Sequence, residues 1–252
     1  MSENSLSSDR LEYFPVWDRT TRWFHWINAI CITGLVCVGL VILNNKALGV
    51  SSDGKILLKT THVFIGYTFV LNLIWRFIWA FAGNRYSRWK SILPTGKAYW
   101  SSLRAYLAGA KAGKPPLYLG HNPIGRLMLV LLFLLLTTQA VTGLVLAGTD
   151  LYFPPFGNQI AEWIAGSGAD AEKIANLKPG SKEGVDLQAY EAMREFRAPF
   201  ITTHVYSFYT LLLAIAFHIA AVVITEIREN NGLISAMFTG KKVLPREPVD
   251  LD

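Results

Sequence analysis

The sequence predicts an all-α integral membrane protein, built as a bundle of four transmembrane helices. Hydrophobic residues make up 52% of the chain and charged residues only 17%, a balance that is unusual for a soluble globular protein. The charges are unevenly spread, and four stretches hold almost none of them. Each stretch has the roughly 20 residues needed to cross a hydrocarbon core about 30 Å thick. They predict spans at about residues 23–45, 60–82, 126–148 and 198–225.

The distribution of charge predicts the orientation of the bundle. Residues 83–126 contain eight Lys or Arg and no Asp or Glu, whereas residues 149–197 contain eight acidic and five basic residues. By the positive-inside rule, the basic connection and both termini face the cytoplasm, while the links at 46–59 and 149–197 face outward. Membrane topology therefore explains the net charge of +6, and nucleic acid is not expected as a partner.

The spans belong to one predicted transmembrane domain, residues 16–240, preceded by a flexible segment at 1–15 and followed by a tail at 241–252. The basic connection includes TGKAYWSSLRAYLAGAKAG, where aromatic residues recur at helical spacing. This pattern suits a helix in the membrane interface, in contact with lipid, or a connector packed on the bundle. The outward loop 149–197 contains DLQAYEAMREF, which predicts a short amphipathic helix. A loop of this length would cap the bundle or dock a partner.

Four histidines lie within or at the start of the predicted spans. Such groups are costly inside a membrane and are usually functional, although a neutral imidazole can also serve as a hydrogen-bonded link to a neighbouring helix. His204 and His218 are fourteen residues apart, a rise of about 21 Å and within ~40° of four full turns, so both lie on one helix face near opposite sides of the bilayer. The predicted topology then puts His25 at the cytoplasmic depth of His218, and His62 at the outer depth of His204.

Two facing imidazoles on different helices are suited to hold an iron porphyrin between them, because each neutral ring supplies one axial bond. Two such pairs at different depths would form a path for electrons across the membrane. Zinc is the competing metal, but it prefers tetrahedral sites with more ligands than two aligned histidines offer.

Two further residues fall in the same predicted layers. Arg76, fourteen residues after His62, lies at the cytoplasmic depth, where its guanidinium would neutralise a haem propionate or would snorkel to the interface. Gly39, fourteen residues after His25, lies at the outer depth, where the missing side chain would let a porphyrin approach the backbone or would ease helix packing.

Several motifs together resemble the bacterial cytochrome b561 and nickel–iron hydrogenase cytochrome b subunit family. They are VWDRTTRWFHWINA in span one, the histidine that opens span two with LIWRF at its end, GHNPIGR before span three, and HxxxFYxLLLxxxxH followed by EIREN in span four. The resemblance covers roughly residues 15–240. It implies a bacterial inner-membrane, multi-pass cytochrome with two non-covalent haem b groups, whose axial ligands map onto His25 and His218 on the cytoplasmic side and His62 and His204 on the outer side.

The resemblance also implies a function, which is electron transfer between quinone in the membrane and a redox partner protein. The partner would be a hydrogenase-like subunit or a periplasmic c-type cytochrome. An electron-transfer subunit is therefore expected rather than an independent enzyme. Two alternatives stay open at this point: a stand-alone oxidoreductase that couples quinone to a small molecule such as superoxide, and a non-haem membrane anchor or transporter with a histidine relay.

His121 is the remaining histidine, in a turn bounded by Gly and Pro at the cytoplasmic edge. A structural role is expected, in which Asn122 caps the helix begun by Pro123. His121 is also a candidate quinone or proton-transfer site, since quinone reduction needs a titratable donor. A third alternative is that His121 replaces His25 as the ligand opposite His218.

Overall fold

The computed structural model describes residues 12–229, 231–245 and 247–251, and these residues are mainly helical. The elements in chain order are β1 (Glu12–Pro15), α1 (Arg19–Leu43), α2 (Ser52–Ala82), α3 (Trp89–Ile92), α4 (Gly96–Lys111), α5 (Pro123–Leu151), α6 (Gly157–Ala165), α7 (Ala171–Ala175), α8 (Leu187–Glu229), α9 (Leu233–Thr239) and β2 (Lys241–Leu244). Within this part of the chain α1, α2, α5 and α8 are long and apolar enough to cross a membrane. The predicted fold class, an all-α bundle with four spans, is therefore confirmed.

The spanning helices are longer than the apolar runs that predicted them. α2 begins at Ser52 rather than near residue 60, and α8 begins at Leu187 rather than near 198. The short helix predicted at DLQAYEAMREF is thus the first part of α8, not a separate element. Hydropathy marks only the length of chain that lipid must cover, while backbone hydrogen bonding continues the helix into polar sequence.

The chain forms two compact units, and each long helix contributes residues to both. Unit 1 comprises residues 1–25, 75–133 and 212–252, and unit 2 comprises residues 26–74 and 134–211. Each unit contains one of the histidine pairs expected from the sequence.

In unit 1 the two ends of the chain pair with each other. β1 and β2 are antiparallel, with Glu12 opposite Leu244, and Asp250 accepts hydrogen bonds from the backbone N–H groups of Leu119 and Gly120 (2.6 and 2.8 Å). Residues 12–15 belong to the segment that was expected to be flexible, yet the strand pair fixes them onto the unit. The strand and this carboxylate also fix most of the 241–252 tail. The rest of the predicted flexible segment, residues 1–11, lies outside the described residues.

Within unit 1, helix α4 packs against its neighbours through two tyrosines that are seven residues apart and almost fully buried. Tyr99 donates to the Pro123 carbonyl (3.1 Å), and the Tyr106 hydroxyl donates to a Glu229 carboxylate oxygen (3.2 Å). Trp100 on the same helix is about half exposed. The tyrosine contacts favour the alternative in which this connection packs on the bundle. Contact of α4 with lipid stays a prediction, and the exposed ring of Trp100 is the residue that would make it.

The loop 149–197 is folded into unit 2 and has a small core of its own. Its helices α6 and α7 pack with the start of α8 around Ile160, Ile164, Leu177 and Met193. α6 begins at Gly157, where a Cβ atom would lie 2.0 Å from the Tyr152 carbonyl oxygen. A larger residue at 157 would force the loop away from the end of α5.

Candidate functional site

The histidine pair of unit 2 faces a cavity among the four long helices. His62 on α2 and His204 on α8 have ring centroids 6.4 Å apart, with their planes at 71°. The cavity between the helices has a volume of about 410 Å³, and both histidines line it. Elsewhere its wall is largely apolar, with Leu35, Phe69, Leu136 and other apolar side chains from all four helices.

The spacing of these two rings suits a metal ion held between them. A metal–imidazole bond is about 2 Å long and the ring centre lies about 1 Å beyond the nitrogen, so two axial imidazoles place their centroids about 6 Å apart. The buried Nδ1 atom of His62 has no hydrogen-bond partner among the described residues. No group of three or more His, Cys, Asp or Glu residues is placed to hold a metal in the described part of the chain, so the arrangement suits a porphyrin iron, which brings its own equatorial ligands.

Two glycines leave room beside the imidazoles. A Cβ atom on Gly39 would lie 3.4 Å from Cε1 of His62, and one on Gly143 would lie 3.5 Å from Cε1 of His204. Each glycine therefore sets its helix backbone beside one ring, and anything longer than alanine would enter the space around that ring. Gly39 was among the residues expected at this site. Gly143 was missed, because span three has no histidine to draw attention to it.

The imidazole of His204 is tied to α5 in a way that defines its tautomer. Its Nδ1 atom lies 2.8 Å from the Thr142 hydroxyl, and that hydroxyl donates its own hydrogen to the Thr138 carbonyl at 2.6 Å. Because a hydroxyl has a single hydrogen, Nδ1 must be the donor toward Thr142. Nε2 then keeps its lone pair, which is the form that binds a metal.

A partly buried cluster of charges lies along the wall of the same cavity. Asp150 at the end of α5 accepts from Lys59 of α2 (2.6 Å) and from Nε and Nη2 of Arg197 on α8 (2.6 and 3.1 Å). The three side chains are between 16% and 26% exposed. We call this cluster the cation triad. No role was predicted for these residues from the sequence, although Lys59 precedes His62 by three residues and so lies close to it along α2.

Unit 1 brings together the other candidate residues. His25 on α1 lies close to His218 on α8, and His121 lies near both His218 and Arg76. The four predicted groups of this side of the bundle are therefore neighbours.

Arg76 is buried in unit 1, with only 3% of its surface exposed, so it does not snorkel. Its Nη2 donates to the Ser87 carbonyl (3.0 Å), and the rings of Phe24 and Phe133 lie 5.8 and 5.6 Å from the guanidinium carbon. Among the described residues its buried Nη1 meets no hydrogen-bond acceptor. A buried guanidinium in this state favours an anionic group beside it.

His121 is packed against Trp17, with ring centroids 4.7 Å apart. Burial, together with the positive charges of Lys242 and Arg76, lowers the pKa of His121 to about 3. The imidazole is therefore neutral at pH 7, and a role for His121 at a quinone or proton-transfer site stays a prediction. The neighbouring Asn122 accepts from the backbone N–H of Gly125 (2.7 Å), as expected of the residue that caps α5.

Comparison with known proteins identifies the family of the chain. Residues 16–240 match the family described as prokaryotic cytochrome b561. The chain is 31% identical over 180 residues to a probable Ni/Fe-hydrogenase 1 B-type cytochrome subunit of Escherichia coli, covering 65% of this chain and 74% of the relative. It is 22% identical over 250 residues to a probable Ni/Fe-hydrogenase B-type cytochrome subunit of Rhodobacter capsulatus, covering 93% and 83% of the two chains.

Four apolar spans with paired histidines define a multi-pass membrane protein of the b-type cytochrome class, which acts in electron transfer with haem b. The chain belongs to the prokaryotic cytochrome b561 family, as the resemblance in its sequence indicated.

Proposed function

We propose that the chain binds two haem b groups and carries electrons across the bacterial cytoplasmic (inner) membrane, between quinone and a redox partner protein. The observation that carries the proposal is the pair His62 and His204, opposed across a four-helix cavity with ring centroids 6.4 Å apart. His25 and His218 form the equivalent pair in unit 1. Bound haem b would supply the one-electron chemistry.

The side chains around each pair hold and shield the group. At the unit 2 site, Nε2 of His204 and a ring nitrogen of His62 are the proposed axial donors, and Thr142 holds the His204 ring in the binding tautomer. The apolar wall of the cavity excludes water, which favours confined electron transfer over side reactions. At the unit 1 site, Arg76 would receive an anionic edge of the second group.

The proposed orientation and partner follow from charge and from the relatives. The excess of Lys and Arg in residues 83–126 favours a cytoplasmic location for that connection and for both termini. Residues 149–197 would then face outward, with α6 and α7 exposed to a partner. Because the relatives are named as cytochrome subunits of Ni/Fe hydrogenases, a hydrogenase-like subunit is the first partner to test, and a c-type cytochrome the second.

Haem stoichiometry and ligation can be tested together on the purified chain. A reduced-minus-oxidised spectrum and a pyridine haemochrome assay should give two haem b per chain. His62→Ala and His204→Ala should each remove one and the same haem, identified by its midpoint potential. His25→Ala and His218→Ala should remove the other.

The pattern of loss decides the outcome. If His62→Ala and His218→Ala removed the same haem, the proposed pairing and topology would be wrong. A preparation without b-type bands and without extractable haem would contradict the whole proposal.

A further inference from the structure

We propose that Lys59 and Arg197, held in place by Asp150, bind the two propionate carboxylates of the haem at the unit 2 site. The inference rests on the proposed function, because it needs a haem between His62 and His204. It assigns a role to the cation triad, whose residues take no part in binding the haem iron.

The first observation is continuity of space. The cavity that His62 and His204 line also has Lys59, Asp150 and Arg197 in its wall, together with Lys55. Lys59 precedes His62 by three residues on α2, and Arg197 precedes His204 by seven on α8. At 1.5 Å per residue these intervals are about 5 and 10 Å along the helix axes, which is the scale of a porphyrin edge measured from its centre.

The second observation is an imbalance of charge. The triad has two cations and one carboxylate, a net charge of +1, and its side chains are at least about three-quarters buried. A buried net charge is costly unless a counter-charge accompanies it. Lys55 on the same wall adds another positive charge. The two carboxylates of a haem would supply the missing negative charge.

The third observation is donor capacity. Lys59 has three ammonium hydrogens and the structure gives it one bond to Asp150, while Arg197 has five N–H donors and uses its Nε and Nη2 groups on the same carboxylate. Both cations therefore keep donors for a second acceptor. Asp150 fixes their positions, so the receptor is formed before the ligand arrives.

Redox titration of the full-length protein tests the charges. Lys59→Met and Arg197→Met should each lower the midpoint potential of the haem that depends on His62, since a nearby positive charge favours the reduced form. We expect the equilibrium constant for reduction to fall on the order of tenfold, which corresponds to about 59 mV for a one-electron couple. Asp150→Asn should move the potential in the opposite direction.

Lys182→Met is the matched control, because Lys182 in unit 2 is 57% exposed and pairs with the exposed Glu191. It should leave both potentials unchanged. If the two cation variants behaved like Lys182→Met, or if all three triad variants shifted the potential in the same direction, the inference would be overturned while the haem proposal stood.

Reconstitution tests recognition of the carboxylates themselves. Apoprotein with His218→Ala, which keeps only the unit 2 site, should bind haem b at least tenfold more tightly than the dimethyl ester of haem b. Lys59→Met combined with Arg197→Met should abolish that preference. Equal affinity for the two haems in the parent protein would overturn the inference and would point to a lipid phosphate as the counter-ion of the triad.

Discussion

Replacing Thr142 by valine tests whether the structure prepares His204 for an axial role. Valine keeps the branched shape of threonine but lacks the hydroxyl oxygen that lies 2.8 Å from Nδ1 of His204. Thr142 is only 5% exposed, so water has little access to replace the lost acceptor. The imidazole N–H would then be left without a partner in a buried position.

The expected magnitude follows from that loss. A buried donor left unsatisfied costs about 1–3 kcal/mol. At 1.4 kcal/mol for each factor of ten, the affinity for haem at the unit 2 site should decrease by a factor that lies between about five and somewhat more than a hundred. The midpoint potential of that haem should rise, because a hydrogen bond from Nδ1–H makes the imidazole a stronger ligand for oxidised iron.

The assay combines haem titration of the apoprotein with redox titration of the loaded protein. Thr142→Ser keeps the hydroxyl and should resemble the parent. Thr138→Val removes an exposed hydroxyl one turn away, which donates to the Leu134 carbonyl, and should also have no effect. If Thr142→Val matched these two controls in affinity and potential, the reasoning about the tautomer would be refuted.

Further substitutions probe the space around the ligands and the role of the remaining histidine. Gly143→Leu and Gly39→Leu should each eliminate the unit 2 haem from the optical spectrum while the unit 1 haem persists, because the side chain would occupy the room beside an imidazole. His121→Gln should retain both haems, whereas His25→Gln should lose one, and loss of a haem in His121→Gln would favour His121 as the ligand instead. The folded-state pKa of His121 is lowered from 6.5 to about 3, so unfolding takes up a proton between these values and stability should fall as the pH drops from 6.5 toward 3. Melting temperatures of the detergent-solubilised protein at pH 7.5 and 5 should therefore differ less in His121→Gln than in the parent, and an equal difference would contradict that pKa.

The helix face and the membrane depth of each histidine could be predicted because helix periodicity depends only on local sequence. Once residues 198–225 were assigned to a span, the fourteen-residue interval between His204 and His218 defined a common face and two depths. His62 and Arg76 share the same interval on α2. No knowledge of side-chain packing was needed for these assignments.

The cation triad could not be predicted in the same way. Lys59, Asp150 and Arg197 lie at the ends of apolar runs, where charged residues are ordinarily solvated and define the limits of a span. Their contacts of 2.6 Å depend on three helices, α2, α5 and α8, meeting at one place. Thr142 presents the same difficulty, since only packing against α8 distinguishes it from Thr138 one turn earlier.

The strand pair illustrates a different limit. β1 and β2 have four residues each and come from opposite ends of the chain. Neither has a local pattern strong enough to predict a strand, and each is stabilised by the other and by the unit 1 core. Because the two ends pair, they must lie on the same side of the membrane, which agrees with an even number of spans.

The buried cations of the two units satisfy one physical criterion. In unit 1 Arg76 donates to a backbone carbonyl and lies between two aromatic rings, with no acceptor for Nη1 among the described residues. In unit 2 Lys59 and Arg197 share a single carboxylate. A membrane protein retains positive charge in excess of its own buried anions only where another anion compensates for the cost. In unit 1 the carboxylate of Asp18 also lies near enough to interact with Arg76, so what that site lacks is an acceptor for Nη1. In unit 2 the missing group is a second negative charge, and a carboxylate of a bound porphyrin would supply either one.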